Sequence, residues 1–178
     1  MSKLYFYYGT MGAAKSAEAL ICKHRYEEIG KSVLVFKSKH ASRDGSNYIK
    51  SRLGMYAEAI ILEDFMNTIS TKELKAIIAA HDIIIVDEVQ FCNEKTIDFL
   101  AYLVDTFDIP VLCYGLKTDL NTHLFEGSKR LLEIADVIVE IKNICDCGNK
   151  ALFNVKISGD DINGEYKACC RKCLYKYI

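Results

Sequence analysis

From Leu4 to Leu20 the chain reads LYFYYGTMGAAKSAEAL, and this stretch restricts the possible folds more than any other. An apolar and aromatic run ends at Gly9, small residues follow, and Lys15-Ser16 opens a helical pattern. That is the order of a phosphate-binding loop, G-x-x-x-x-G-K-[ST], a strand-to-helix turn whose backbone N–H groups cradle a polyphosphate. The lysine neutralises the terminal phosphates, the next hydroxyl holds Mg²⁺, and the helix N-terminus adds a favourable dipole. One position departs from the pattern, because Ala14 stands at the second glycine. If this position needs a left-handed backbone, alanine costs about 1–2 kcal/mol, which is tolerable if neighbouring Gly12 absorbs the sharp turn. Taken alone, the stretch also fits a plain strand–turn–helix with a chance lysine at its corner.

Further along, strand-like and helical runs alternate. A helix over about residues 16–29 leads to a buried strand at 32–37 (SVLVFK), and a helix near 72–80 leads to another at 83–87 (IIIVD). A helix over 94–107 precedes a strand at 110–115 (PVLCYG), and a short helix at 131–135 precedes a strand at 137–141. Continuous Val/Ile runs separated by helices predict a parallel sheet covered on both faces, and right-handed crossovers make it an α/β fold of the P-loop NTPase type. Pro110, the one proline, falls at a strand entry, where its missing N–H matters least. After Lys142 cysteine, glycine and aromatic residues replace this alternation, so the expected division is a nucleotide-binding domain over 1–141 and a small C-terminal domain over 142–178.

The strand ending in Asp87-Glu88 has the form of a Walker B strand. In a P-loop fold it finishes beside the phosphate loop, so Asp87 reaches Mg²⁺ directly or through water, and Glu88 stands where a carboxylate can take a proton from an attacking hydroxyl. Alone this is a common strand ending; downstream of a phosphate loop it is far more specific. A third constellation pairs Cys145-x-Cys147 with Cys170-x-x-Cys173. Four thiolates in two close pairs suit tetrahedral zinc. Cys169 adjoins Cys170 and competes with it as ligand, although C-x-x-C spacing favours Cys170. Cys22, Cys92 and Cys113 fall in expected helices or strands and read as core packing.

Eight cysteines with no cationic and apolar leader at MSKLYFYYG point to a reducing, cytoplasmic setting, where clustered thiols hold metal rather than form disulfides. A formal net charge of −1 gives no electrostatic case for nucleic acid or anionic membrane, and no apolar stretch is long enough to span a bilayer. Two arginines, Arg43 and Arg52, fall in the loop after the second strand, and residues 115–127 form another long connection. Either could line a cleft at the carboxyl ends of the strands; solvated loops are the default for both.

With these pieces in order, the chain resembles thymidine kinases of the cellular-type (type II) family over essentially its whole length. The matching segments are LYFYYGTMGAAKS, SRLG, VDEVQF, PVLCYGLKTD, LFEGS, the Ala135-Asp136 pair, ICDCGNKA and EYKACCRKC. The resemblance implies transfer of the ATP γ-phosphate to the 5′-hydroxyl of thymidine or deoxyuridine, a structural zinc, a homotetramer, and inhibition by thymidine triphosphate (dTTP). It assigns Gly9, Thr10, Met11, Gly12, Ala13, Ala14, Lys15 and Ser16 to the ATP phosphates, with Ser16 and Asp87 on Mg²⁺. Glu88 matches the general base, Val89 and Gln90 belong to the same segment, and Arg43 matches an arginine at the transferring phosphate. Phe91, Leu116 and Phe125 match the nucleoside pocket. Tyr166 matches the tyrosine of a substrate-covering lid lying between the cysteine pairs, which would make Cys145, Cys147, Cys170 and Cys173 the anchors of both lid ends. Departures from the family pattern are Ala14, Ala41 for an aspartate, Leu120 for a phenylalanine, and SGDDINGEY in the lid for an Ile-Gly-Gly motif. Two other classes compete: a zinc-ribbon binding module with a nucleotide-gated switch, and an ATPase in which Glu88 activates water. Phe91, Phe125 and Tyr166, which water activation does not need, favour the kinase.

Overall fold

The structure, a computed structural model, describes residues 1–41, 47–159 and 164–177. Strand β1 (Leu4–Tyr8) runs through the phosphate loop into α1 (Lys15–Glu28) and then β2 (Val33–Lys37). A hairpin of two short strands, β3 (Tyr48–Lys50) and β4 (Tyr56–Glu58), leads to β5 (Ile60–Ile61), α2 (Leu62–Thr68) and α3 (Thr71–Ala79). The alternation continues with β6 (Ile83–Asp87), α4 (Glu94–Phe107), β7 (Val111–Gly115), α5 (Glu126–Ile134) and β8 (Val137–Glu140). Last come a hairpin, β9 (Phe153–Ser158) and β10 (Glu165–Cys169), and a helical turn, α6 (Arg171–Leu174).

Six strands pair in the order β5-β2-β6-β7-β1-β8, every pair parallel. The centre belongs to β6 and β7, which are buried along their whole length; burial on both faces is what their unbroken apolar runs require. Alternate residues of β6 serve opposite layers. Ile83 and Ile85 pack with Ala19 of α1, while Ile84 and Val86 join Leu62, Leu74, Leu100 and Leu131 of α2–α5. A slip of one residue would exchange the two faces, so this pattern pins the register. The expected parallel α/β sheet is the fold observed.

Helix starts follow local chemistry. Ser70 and Glu73 form a reciprocal capping box at α3, and Asn93 Oδ1 accepts the Thr96 N–H at 2.9 Å at α4; both satisfy donors that the first helical turn leaves over. Elsewhere the structure departs from the sequence reading. α5 begins at Glu126 rather than near 131, because its buried face is Gly127, Ser128 and Leu131, and small or polar residues hide an apolar period. The segment read as a loop after β2 carries the β3–β4 hairpin, whose three-residue strands are too short to show alternation. Cys92 is buried, as expected, but closes the 3-10 turn Val89–Phe91 and lies in neither helix nor strand. Among the described residues no helix is long and apolar enough to cross a membrane.

Candidate active site

The carboxyl ends of β1, β6 and β7 lie side by side, and the phosphate loop springs from the first of them. Gly9 N–H donates to Gly115 O at 3.3 Å, and a Cβ on Gly9 would lie 2.6 Å from Ile141 O, so only glycine fits. Gly12 has φ +76°, but Ala14 also stands in the left-handed region at φ 61°, ψ 26°. Gly12 therefore does not absorb the turn alone: the chain turns at both positions, and Ala14 bears the penalty. Ala14 is also the N-cap of α1 and offers no side-chain cap. The first-turn N–H groups of α1 are therefore left for another acceptor, as an anion site needs.

Lys15 is 8% exposed, and its Nζ donates to Thr10 O at 2.8 Å. Burial pulls its pKa down, partly opposed by the negative field of Glu88 and Asp87. Ser16 Oγ donates to Asp87 Oδ2 at 2.8 Å beneath the loop. Asp87 is pushed up to about 7, by burial first and by the neighbouring Glu88 carboxylate second. A buried carboxylate beside a half-buried hydroxyl, its charge disfavoured until a cation joins it, suits a hard, oxygen-seeking ion such as Mg²⁺.

At the next residue the chain turns out of the sheet. Glu88 adopts φ 54°, ψ 36°, a conformation that costs a non-glycine residue on the order of 1–3 kcal/mol and presents its carboxylate to the cleft. Gln90, 1% exposed, donates from Nε2 to Glu88 Oε2 at 2.5 Å, while its Oε1 accepts the Leu116 N–H at 3.1 Å. Gln90 thus aims Glu88. Phe91 and Phe125 meet edge to face at 5.5 Å between ring centres.

These groups border one cleft of about 860 Å³, within the size range of small-molecule sites. Its walls include Met11, Gly12, Ala14, Lys15 and Ser16 on one side and Glu88, Gln90, Phe91, Leu116, Phe125 and Tyr166 on the other. Of the remaining expected site residues, Gly9 and Thr10 line a small crevice behind the loop, Asp87 and Ala13 are buried, and Val89 is wholly buried in the main core. Arg43 lies outside the described residues, as do residues 160–163 of the altered lid segment.

Two residues at the site drew no role from the sequence, and a third, Arg52, was read only as a loop charge that could line a cleft. Arg52 lines the cleft, and its guanidinium lies 3.8 Å from where a Cβ on Gly12 would sit. The β3–β4 turn holds it there through Ser51 N–H to Met55 O at 2.8 Å and a left-handed Gly54. Asn143 and Asn154 hydrogen-bond to the phosphate loop itself. Arg52 sat in a segment noticed for its charge, whereas the asparagines gave no local signal because their partners are remote in sequence.

The sulfurs of Cys145, Cys147, Cys170 and Cys173 all lie within 4.8 Å of one another. Tetrahedral zinc with Zn–S near 2.3 Å would set sulfurs about 3.8 Å apart, so the cluster fits a structural zinc. Cys169 is buried outside this group. The Cys147 thiol is pulled down to about 6, chiefly by the Asn149 N–H groups that donate to it, which favours the thiolate that metal binding uses.

Comparison with known proteins agrees with this geometry. The sheet is similar in fold to the replication initiator DnaA bound to AMPPCP and single-stranded DNA (TM-score 0.51, 15% identity, 79% of this chain and 40% of that one). It is likewise similar to AMPPCP-bound DnaA from Aquifex aeolicus (TM-score 0.50, 13% identity, the same coverage of 79% and 40%). At such identities the likeness concerns the fold alone. Sequence similarity reaches further. A thymidine kinase of Shewanella oneidensis is 37% identical over 195 aligned positions, covering 100% of this chain and 99% of that one. The thymidine kinase of Enterobacteria phage T4 is 43% identical over 162, covering 90% and 83%, and that of Streptococcus gordonii 39% over 188, covering 99% and 97%. The thymidine kinase family model matches residues 2–174, and the chain belongs to that family.

Proposed function

We propose that the protein transfers the γ-phosphoryl group of ATP to the 5′-hydroxyl of thymidine or deoxyuridine. The observation that carries this reading is the single cleft in which Lys15 and the uncapped start of α1 share walls with Glu88, Phe91 and Phe125. In this reading residues 9–16 hold the polyphosphate, with the Lys15 ammonium released from Thr10 O to the β/γ oxygens. The apolar edge of Phe91, Leu116 and Phe125 receives the base, and Tyr166 closes over it from β10. Glu88, aimed by Gln90, accepts the 5′-hydroxyl proton as the bond from the 5′ oxygen to the γ-phosphorus forms. The bond from that phosphorus to the β–γ bridging oxygen breaks, and ADP leaves. Arg52, at the mouth of the phosphate loop, neutralises charge on the moving group together with Arg43. Bound Mg²⁺, held by Ser16 and Asp87, would supply charge neutralisation between the phosphates.

Residues 142–178 form the zinc-binding unit beside the nucleotide-binding unit of 1–141 in this reading. A separate small core of Cys145, Ala151, Val155, Cys169, Cys170 and Leu174 supports that division. Tetrameric assembly and end-product inhibition by thymidine triphosphate belong to the same reading and rest on family membership.

The test is phosphoryl transfer from Mg·ATP to a panel of deoxynucleosides, scored for 5′-monophosphate, with free phosphate as control. Monophosphate from thymidine and deoxyuridine, and none from deoxycytidine or the purine deoxynucleosides, is the expected outcome. Free phosphate without nucleoside product would make the chain an ATPase and end the kinase reading.

A further inference from the structure

The phosphate loop is gripped from outside its own β–α unit. Asn154, on β9 and 4% exposed, accepts the Met11 N–H on Oδ1 at 2.7 Å. Asn143, in the connection after β8, donates from Nδ2 to Met11 O at 3.0 Å and to Thr10 Oγ1 at 3.1 Å. The two ends of the Met11 residue are thus held by two side chains 143 and 132 residues away in sequence. The amide orientations are fixed by chemistry: the Asn154 oxygen faces an N–H, and the Asn143 nitrogen faces a carbonyl while its oxygen accepts the Ile144 N–H at 2.8 Å. Neither asparagine can flip without setting like against like.

Both asparagines are tied to the C-terminal segment. Asn143 O accepts the Ala151 N–H at 2.8 Å, next to the turn in which Cys145 N–H donates to Asn149 O at 2.8 Å. Asn154 pairs with Ala168 across the β9–β10 ladder, immediately before Cys169 and Cys170. On the loop side, the clasped residues adjoin what matters for phosphate binding. Thr10 O is the acceptor that holds Lys15 Nζ, and Gly12, with φ +76°, follows Met11 directly.

We propose that Asn143 and Asn154 are positioning residues for ATP, clasping Thr10 and Met11 so that Lys15 and the N–H groups beyond Gly12 meet the phosphates in one fixed arrangement. The inference rests on reading residues 9–16 as the ATP phosphate loop. A loop with a left-handed alanine is strained and lacks its usual second glycine, so a clasp from outside supplies rigidity that its own sequence does not. Neither asparagine touches phosphate in this scheme; each acts through the Thr10–Met11 backbone and the Thr10 hydroxyl.

Calorimetry on purified Asn143→Ala and Asn154→Ala, each titrated separately with Mg·ATP and with thymidine, tests this, with zinc content and Tm measured alongside. The expected result is ATP affinity weakened about tenfold, as losing one or two hydrogen bonds implies, with thymidine affinity unchanged and zinc retained. ATP affinity equal to wild type, or an equal loss for both ligands, overturns the proposal. Should Asn154→Ala fail to fold, Asn143→Ala decides by the same outcomes, and if neither folds, Asn143→Ser provides the reading. A wild-type chain that binds Mg·ATP yet forms no nucleoside monophosphate ends the kinase reading and leaves the clasp standing; one that binds no ATP ends both.

Discussion

Ala14 and Glu88 are residues whose backbone the tertiary structure holds against their own preference. Both have positive φ, at 61° and 54°, and both stand at the cleft. Ala14→Gly removes the clash between Cβ and the following carbonyl and is expected to stabilise the fold by about 1 kcal/mol, read as a higher urea midpoint at unchanged slope. Glu88→Gln keeps the shape but cannot accept a proton, so turnover is expected to fall about 10²- to 10⁴-fold, with ATP affinity by calorimetry little changed. Full turnover in that variant would remove Glu88 as the base. Asp87 has a pH signature: burial and Glu88 raise its folded pKa to about 7, above the unfolded value of about 3.9. Between those values the folded state keeps a proton that the unfolded chain has lost. Stability without added Mg²⁺ is therefore expected to fall as pH rises through that window, and Asp87→Asn to flatten the slope. Thermal melts across that pH range check the sign. Lys15, Ser16, Asp87 and Glu88 were legible in sequence because each belongs to a local motif; Arg52 was legible only as a charge in a loop that could line a cleft, and Asn143 and Asn154 were not legible, because their partners are brought from elsewhere in the chain.

Elements carry the site through close approaches. α5 reaches the 3-10 turn Val89–Phe91 at Gly127, where a Cβ would strike Val89 O and lie 2.8 Å from Cys92 O. Gly127→Ala is expected to push the turn that carries Gln90 and Phe91, costing about 1–3 kcal/mol of stability and lowering turnover more than ATP affinity. Parallel urea and kinetic measurements would separate the two effects. Ser70→Ala, by contrast, removes a capping box remote from the cleft, so it should cost about 1 kcal/mol and leave kinetics alone. The strands and long helices were readable because Ile83–Asp87 and Glu94–Phe107 carry enough apolar residues to declare a period. α5 and the β3–β4 hairpin were not, the first because its buried face is glycine and serine, the second because three residues hold no period.

At the scale of the whole molecule, the small core around the four cysteines and the large sheet meet at the phosphate loop. Stripping metal with a strong chelator is expected to expose the segment after Lys142 to protease while the sheet stays folded, since the two cores share none of their fully buried residues. If the clasp holds as proposed, ATP affinity falls in the same preparation. Cleavage that spreads evenly along the chain would instead mean one cooperative unit. By itself the sequence determined the fold class, the phosphate loop, the acidic pair at the end of β6 and the four cysteines, because each depends on spacing within short stretches. Only the tertiary structure decided that Ala14 bears a left-handed turn, that Gln90 aims Glu88, that Cys169 stands apart from the sulfur cluster, and that two distant asparagines hold the loop. Those outcomes depend on which segments are brought into contact, and hydrogen bonds across more than a hundred residues leave no trace in local spacing.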